Sequence, residues 1–323
     1  LQKFHATPSL NYKPSDDPRM ENIFRSNVQK SLDVKVEGCY KCGIRCHNNI
    51  YKGEKFLAKF DYEPLDLMGV NLGIFDPEQN AELIALADKI GVDAISLGGT
   101  ISYAMEYNQR HPDNKILDGI SYGDFEKIKG LILKVGAGKL PEIGKGVKRL
   151  SESLGETSYA YHIKGLELPA YLPQTNPGYP WAIAGGHMSM GTYMLLAREG
   201  RTDMEYWVDA VTRRGPLIVG FDMIGICKFT GLTANSCLVR DAIKAVTGLE
   251  ISEEVLTETI LNSFKFALKL ERKQGFTKEE SKLPEETFVK NEKLKLPQFV
   301  TKEFFDELYK RVWEVFDSLE QDV

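Results

Sequence analysis

The stretch DPEQNAELIALADKIGVDAIS, Asp76 to Ser96, decides the reading of the fold. Asp76 is an N-cap residue type, Pro77 suits the first helical position, and Gln79 stands at the third, where its side chain can reach back to the cap. Leu83, Ile84, Ala87 and Ile90 then recur at helical spacing, and Gly91 is placed to end the helix. A second helix reads from Ser121, with Asp124 three residues on, an apolar face of Phe125, Ile128, Ile132 and Val135, and a close at Gly136 to Gly138. Residues 252–272 and 301–317 read as two more amphipathic helices, joined by a charged, proline-bearing surface loop over 282–297. Residues 1–37, broken by Pro8, Pro14 and Pro18, read as an irregular lead-in, and 168–191 as a long irregular segment. The expectation is a mainly α chain of two domains, 1–145 and 146–323.

Composition narrows the class. The chain has 323 residues, 42% hydrophobic and 27% charged, with a net charge of −5. This is the profile of a globular protein. There is no basic stripe, so no nucleic-acid partner is expected. No apolar run reaches membrane-spanning length, and Leu1 to His5 lack a signal-peptide pattern, so a cytoplasmic location away from the membrane is expected. The first residue is not Met, so the chain reads as a piece of a longer protein or a processed product. Abundant Lys and Glu point weakly to a hyperthermophile.

Three of the five cysteines fall in GCYKCGIRCH, as Cys39, Cys42 and Cys46. Without a secretory signal, such clustering argues for metal rather than disulfides. Short spacing lets neighbouring thiolates reach one centre from one loop. A fourth ligand must come from Cys227, Cys237 or His47. An iron–sulfur cluster and a tetrahedral zinc using His47 both satisfy the spacing. Lys41 and Arg45 would offset thiolate charge.

An internal echo links DKIGVDAIS, from Asp88, with DMIGICKFT, from Asp222. As plain structure it is a repeated helix-ending turn. A carboxylate at the last turn meets the negative end of the helix dipole, so each Asp calls for a partner such as a ligand N–H. Glu63 precedes an apolar, glycine-bearing stretch that could raise its pKa for general acid–base work. His187 follows Gly185-Gly186, where backbone can approach a ligand closely. The G-x-x-x-x-G-K-S/T phosphate loop, the H-E-x-x-H motif and a dinucleotide fingerprint are all absent.

Together these motifs resemble the tungsten-containing aldehyde:ferredoxin oxidoreductases, over roughly residues 30–290. Tyr62-Glu63, Asp93-Ala-Ile-Ser96, Leu168-Pro-Ala-Tyr171 and Gly185-Gly186-His187 are similar to further segments of that family. The resemblance implies two helical domains with a cofactor groove between them; the family's β-rich first domain has no counterpart here. It implies a 4Fe–4S cluster on Cys39, Cys42, Cys46 and Cys227, with Cys237 left out. It implies a tungsten bis-pterin, one pterin held by Asp88, Gly91 and Asp93 and the other by Asp222, Gly225 and Ile226. The implied reaction is oxidation of an aldehyde to a carboxylic acid, electrons leaving through the cluster to ferredoxin. Glu63 would be the base, and His187 would donate a hydrogen bond to the substrate oxygen. The rival is a non-catalytic iron–sulfur electron-transfer or assembly module. A homodimer is one assembly open to the chain, and the missing first domain is an expected partner. Three departures stand out. Gly-Gly-His is one residue shorter than the family segment, the ending Tyr309 to Trp313 lacks Arg-Gly-Trp, and Glu82 has no downstream His to share an interface metal.

Overall fold

A computed structural model describes residues 7–183, 201–227, 229 and 235–321. It is mainly helical, as expected. The Pro77–Ile90 helix forms as its sequence dictates: the Asp76 carboxylate accepts the N–H groups of Glu78 and Gln79 at 2.8 and 3.0 Å. Leu83, Ile84 and Ala87 are buried. Each Leu or Ile taken out of water contributes about 1.5–3 kcal/mol. The Phe125–Gly136 helix starts at Asp124 rather than Ser121, because the Asp124 side chain accepts the Lys127 N–H. Ser252 caps the Glu253–Lys273 helix, and Lys302–Gln321 forms the last one.

Two secondary-structure expectations are corrected first. The lead-in is not irregular throughout: Arg25–Ser31 is helical and Asp33–Glu37 is a strand. That strand pairs antiparallel with His47–Lys52, which pairs with Lys55–Lys59, giving a three-stranded sheet in sequence order. The alternation in Asp33-Val-Lys-Val-Glu37 was the available signal. The second correction is the Ala94–Arg110 helix, which the stripe search did not delimit. Every residue from Leu97 to Asn108 is buried, so it shows no amphipathic face. Glycines explain how it gets so close to its neighbours. A Cβ on Gly98 would lie 2.4 Å from the Leu67 carbonyl oxygen of the Tyr62–Leu67 helix.

The chain divides into two compact units, one of residues 1–175 and 282–297, the other of 176–281 and 298–323. The division falls later than 145 because residues 146–175 are bonded into the first unit. Glu167, 4% exposed, accepts the Val147 N–H at 2.6 Å and the Thr100 hydroxyl at 3.0 Å. Tyr159 stacks on Tyr103, and Asn11 donates to the Tyr159 carbonyl. The 282–297 segment is likewise more than a surface loop. Arg110 binds Glu286 through two bonds of 2.6 and 2.5 Å, and the Glu286 N–H reaches the Ser158 carbonyl. Arg110 also holds the buried Glu106, whose carboxylate accepts from Asn11 and pairs with Lys13.

The second unit is built on the Glu253–Lys273 and Lys302–Gln321 helices, which bury Phe264 against Phe316 at 5.3 Å. Trp207 packs edge-on to Phe304. No helix among the described residues is long and apolar enough to cross a membrane.

Candidate functional site

The cysteine segment is the connection of a β-hairpin whose last pair is Glu37 opposite His47. The hairpin therefore presents Cys39, Cys42 and Cys46 on one loop, all as free thiols, with Cys39 and Cys46 exposed. The Cys42 N–H closes a turn onto the Cys39 carbonyl at 2.9 Å, and Arg45 reaches back to the Val36 carbonyl at 2.7 Å. Lys41 and Arg45 hold left-handed backbone, φ 56° and 49°, and each immediately precedes a cysteine. Such conformations cost non-glycine residues energy and gather at functional loops. Cys39 Sγ lies 3.7 Å from His47 Nε2. Among the described residues no three His, Cys, Asp or Glu side chains converge as a metal-ligand set. The donor chemistry nonetheless suits a cluster: three thiols free of disulfides share one short loop beside two cations.

The internal echo is a repeat of structure. In both copies a helix ends at a left-handed glycine, φ 76° at Gly91 and 70° at Gly225. The Gly91 N–H bonds the Asp88 carbonyl, and the Val92 N–H the Ala87 carbonyl. The Gly225 N–H bonds the Asp222 carbonyl, and the Ile226 N–H the Phe221 carbonyl. This is the six-to-one bond of a Schellman motif, in duplicate. A Cβ on either glycine would meet nothing within 4 Å, so backbone conformation rather than crowding selects glycine. Asp88 and Asp222 are both exposed. Neither carboxylate has a hydrogen bond or ion pair among the described residues. The copies then diverge. Asp93 caps the next helix by accepting the Ser96 N–H at 2.6 Å, using one of its two oxygens. Ile226 packs against the cluster of Val239, Leu256 and Ile260, and Cys227 is exposed. A cavity of about 400 Å³ opens beside the first copy, lined by Val92, Asp93, Ser96, Lys145 and Glu167 among others, but not by Asp88. Two carboxylates and a lysine in an otherwise largely apolar wall suit a flat ring bearing N–H donors.

Glu63 is half-buried in the first turn of the Tyr62–Leu67 helix. The Tyr62 hydroxyl donates to the Ala170 carbonyl at 2.7 Å, and its ring meets Tyr171 at 5.4 Å. The structure thus brings together the Tyr62-Glu63 and Leu168–Tyr171 segments, which lie far apart in sequence. Asp66, on the same helix, was missed. It is 0% exposed, and both its carboxyl oxygens lack a hydrogen-bond partner among the described residues. Burial holds this carboxyl well above the usual carboxylate range, and the charge of Glu63 pushes the same way. The signal was an acid set inside the apolar run Leu65-Asp66-Leu67-Met68. Glu82 forms an ion pair with Lys129 at 2.5 Å. Gly185, Gly186 and His187 lie outside the described residues.

A family profile described as aldehyde ferredoxin oxidoreductase, domains 2 and 3, matches residues 1–317. The chain belongs to this family. Among aldehyde ferredoxin oxidoreductase relatives it is similar to the tungsten-containing enzyme of Pyrococcus furiosus, 28% identical over 242 residues, which are 68% of this chain and 40% of the relative. The tungsten-containing aldehyde ferredoxin oxidoreductase of Thermococcus kodakarensis is 27% identical over the same shares. A second Pyrococcus furiosus protein, an aliphatic sulfonate oxidoreductase, WOR-like subunit, is 35% identical across 67% of this chain and 36% of its own length. The chain thus spans about 40% of the length of these curated relatives. Among solved structures, the active-site complex BamBC of benzoyl coenzyme A reductase superposes with a TM-score of 0.71, covering 98% of this chain and 57% of that one. At 14% identity this is a likeness of fold. Membership makes the chain part of an oxidoreductase family whose curated relatives are named as tungsten-containing.

Proposed function

We propose that this chain is the C-terminal part of an enzyme that oxidises an aldehyde to a carboxylic acid at a tungsten bis-pterin, passing electrons through a 4Fe–4S cluster to ferredoxin. The observation that carries this reading is the duplicated Asp-x-x-Gly turn. Two matching helix ends, each with an exposed carboxylate that has no partner among the described residues, suit a cofactor with two equivalent halves. Asp88, Gly91 and Asp93 would serve one pterin, and Asp222, Gly225 and Ile226 the other, with Ile226 contributing through its backbone because its side chain is packed. Cys39, Cys42, Cys46 and Cys227 would hold the cluster. When bound, the pterin metal supplies two-electron chemistry and the cluster one-electron transfer.

The residues of this chain do the acid–base work. An aldehyde and a water give an acid, two protons and two electrons. Glu63, half-buried and free of hydrogen bonds to the described residues, would take a proton. General-base help of this kind contributes about 10²–10⁴ in rate. His187 would donate to the substrate oxygen as charge develops there. The test is metal content and turnover of the anaerobically purified, complete protein. Iron, labile sulfide and tungsten with aldehyde-dependent dye reduction support the reading. Zinc without sulfide overturns it, and iron without tungsten favours the non-catalytic module. The relative at 35% identity supports a second reading of the substrate, an aliphatic sulfonate. Assaying sulfonates beside aldehydes separates the two.

A further inference from the structure

Four buried acids occur among the described residues: Asp66, Glu106, Glu167 and Glu271. Glu106 is held by Asn11, Lys13 and Arg110, and Glu167 by the Thr100 hydroxyl and the Val147 N–H. Asp66 is different. Both its oxygens are enclosed, and neither accepts a hydrogen bond among the described residues. An ionised carboxylate in that state is far costlier than a neutral one, and no cation among the described residues offsets it. A neutral carboxyl needs only one acceptor. Asp66 lies three residues after Glu63, so the two side chains share a face of the Tyr62–Leu67 helix. One carboxyl is half in solvent and the other is sealed. When two acids sit in such unequal surroundings, the environment divides the roles between them.

We propose that Glu63 and Asp66 form a two-carboxyl site that holds one proton, on Asp66. Asp66 is then a positioning residue for Glu63. A neutral Asp66 spares Glu63 a second negative charge one turn along the helix. The consequence for catalysis rests on the proposed role of Glu63; the location of the proton does not.

The test is infrared spectroscopy of the full protein at neutral pH, reading the carbonyl stretch of a neutral carboxyl, which is well separated from carboxylate bands. The expected result is a neutral-carboxyl band that shifts with isotope-labelled aspartate and not with labelled glutamate. Asp66→Asn should remove the band, and Glu63→Gln should keep it at a moved frequency. The labelling arm needs no substitution, so it stands even where a variant fails to fold. A band that follows labelled glutamate, survives Asp66→Asn, or is absent from the wild type overturns the proposal. Failure of the reaction itself looks different: near-normal turnover in Glu63→Gln, with the infrared result unchanged, removes the catalytic reading and leaves the proton site standing.

Discussion

Removing the charge from Asp88 or Asp222 should stabilise the cofactor-free protein while weakening its hold on tungsten. Each carboxylate lies in the last turn of a helix, exposed, with no pairing cation among the described residues. It therefore sits against the negative half-charge of the helix end, an opposition of about 0.3–1 kcal/mol at low ionic strength. Asp88→Asn and Asp222→Asn should each gain that much. For a unit of this size the gain is a rise in Tm of about 1–4 °C. The rise should shrink in high salt, where the screening length falls to about 3 Å. The loaded protein should behave oppositely. A hydrogen bond to a charged acceptor contributes about 1.5–3 kcal/mol, so losing it weakens the cofactor roughly 10- to 150-fold. Thermal scans of the apo protein and tungsten content after dialysis measure the two effects. If both variants lose stability without cofactor, the aspartates are structural. If stability rises but tungsten retention is unchanged, the motif is only a helix end.

Other consequences are as concrete. Gly98→Ala would force a Cβ to within 2.4 Å of backbone oxygen and should cost about 1–3 kcal/mol or more, read as a lower urea midpoint. Gly91→Ala meets no atom and should cost only the left-handed backbone penalty, about 1–2 kcal/mol. Cys39→Ser should lose iron and labile sulfide, whereas Cys237→Ser should keep both; equal loss in the two would remove the proposed ligand set. Glu63→Gln should retain both metals but lose at least about 10²-fold in turnover. Burial raises the Asp317 pKa, but hydrogen bonds from Lys278 and Arg272 outweigh it and leave the carboxyl below its usual range. Its share of stability is therefore present above the unfolded carboxylate pKa and lost as pH falls through the lower folded value, so Asp317→Asn should flatten the acid end of the stability curve.

Local signals were legible where a single element contains its own cause. Asp76-Pro77 and Gly91 bound one helix because cap, proline and left-handed glycine act within a few residues of themselves. The duplicated Asp-x-x-Gly turn was visible for the same reason, and so were the three loop cysteines. Motif order also carried the family. Elements whose stability comes from neighbours were not legible. The Ala94–Arg110 helix is buried along most of its length, so no stripe marks it, and Gly98 makes sense only beside the Leu67 carbonyl. Residues 146–175 join the first unit through Glu167, Tyr159 and their distant partners, which no local pattern announces. Asp66 is the sharpest case. Its sequence setting marks an acid inside an apolar run, but only the packing around a short helix seals it from water and from partners among the described residues. The sequence determined the turns, caps and thiol donors, because those depend on covalent neighbours. Tertiary structure decided which charges are buried and which units cohere, because desolvation depends on atoms from elsewhere in the chain.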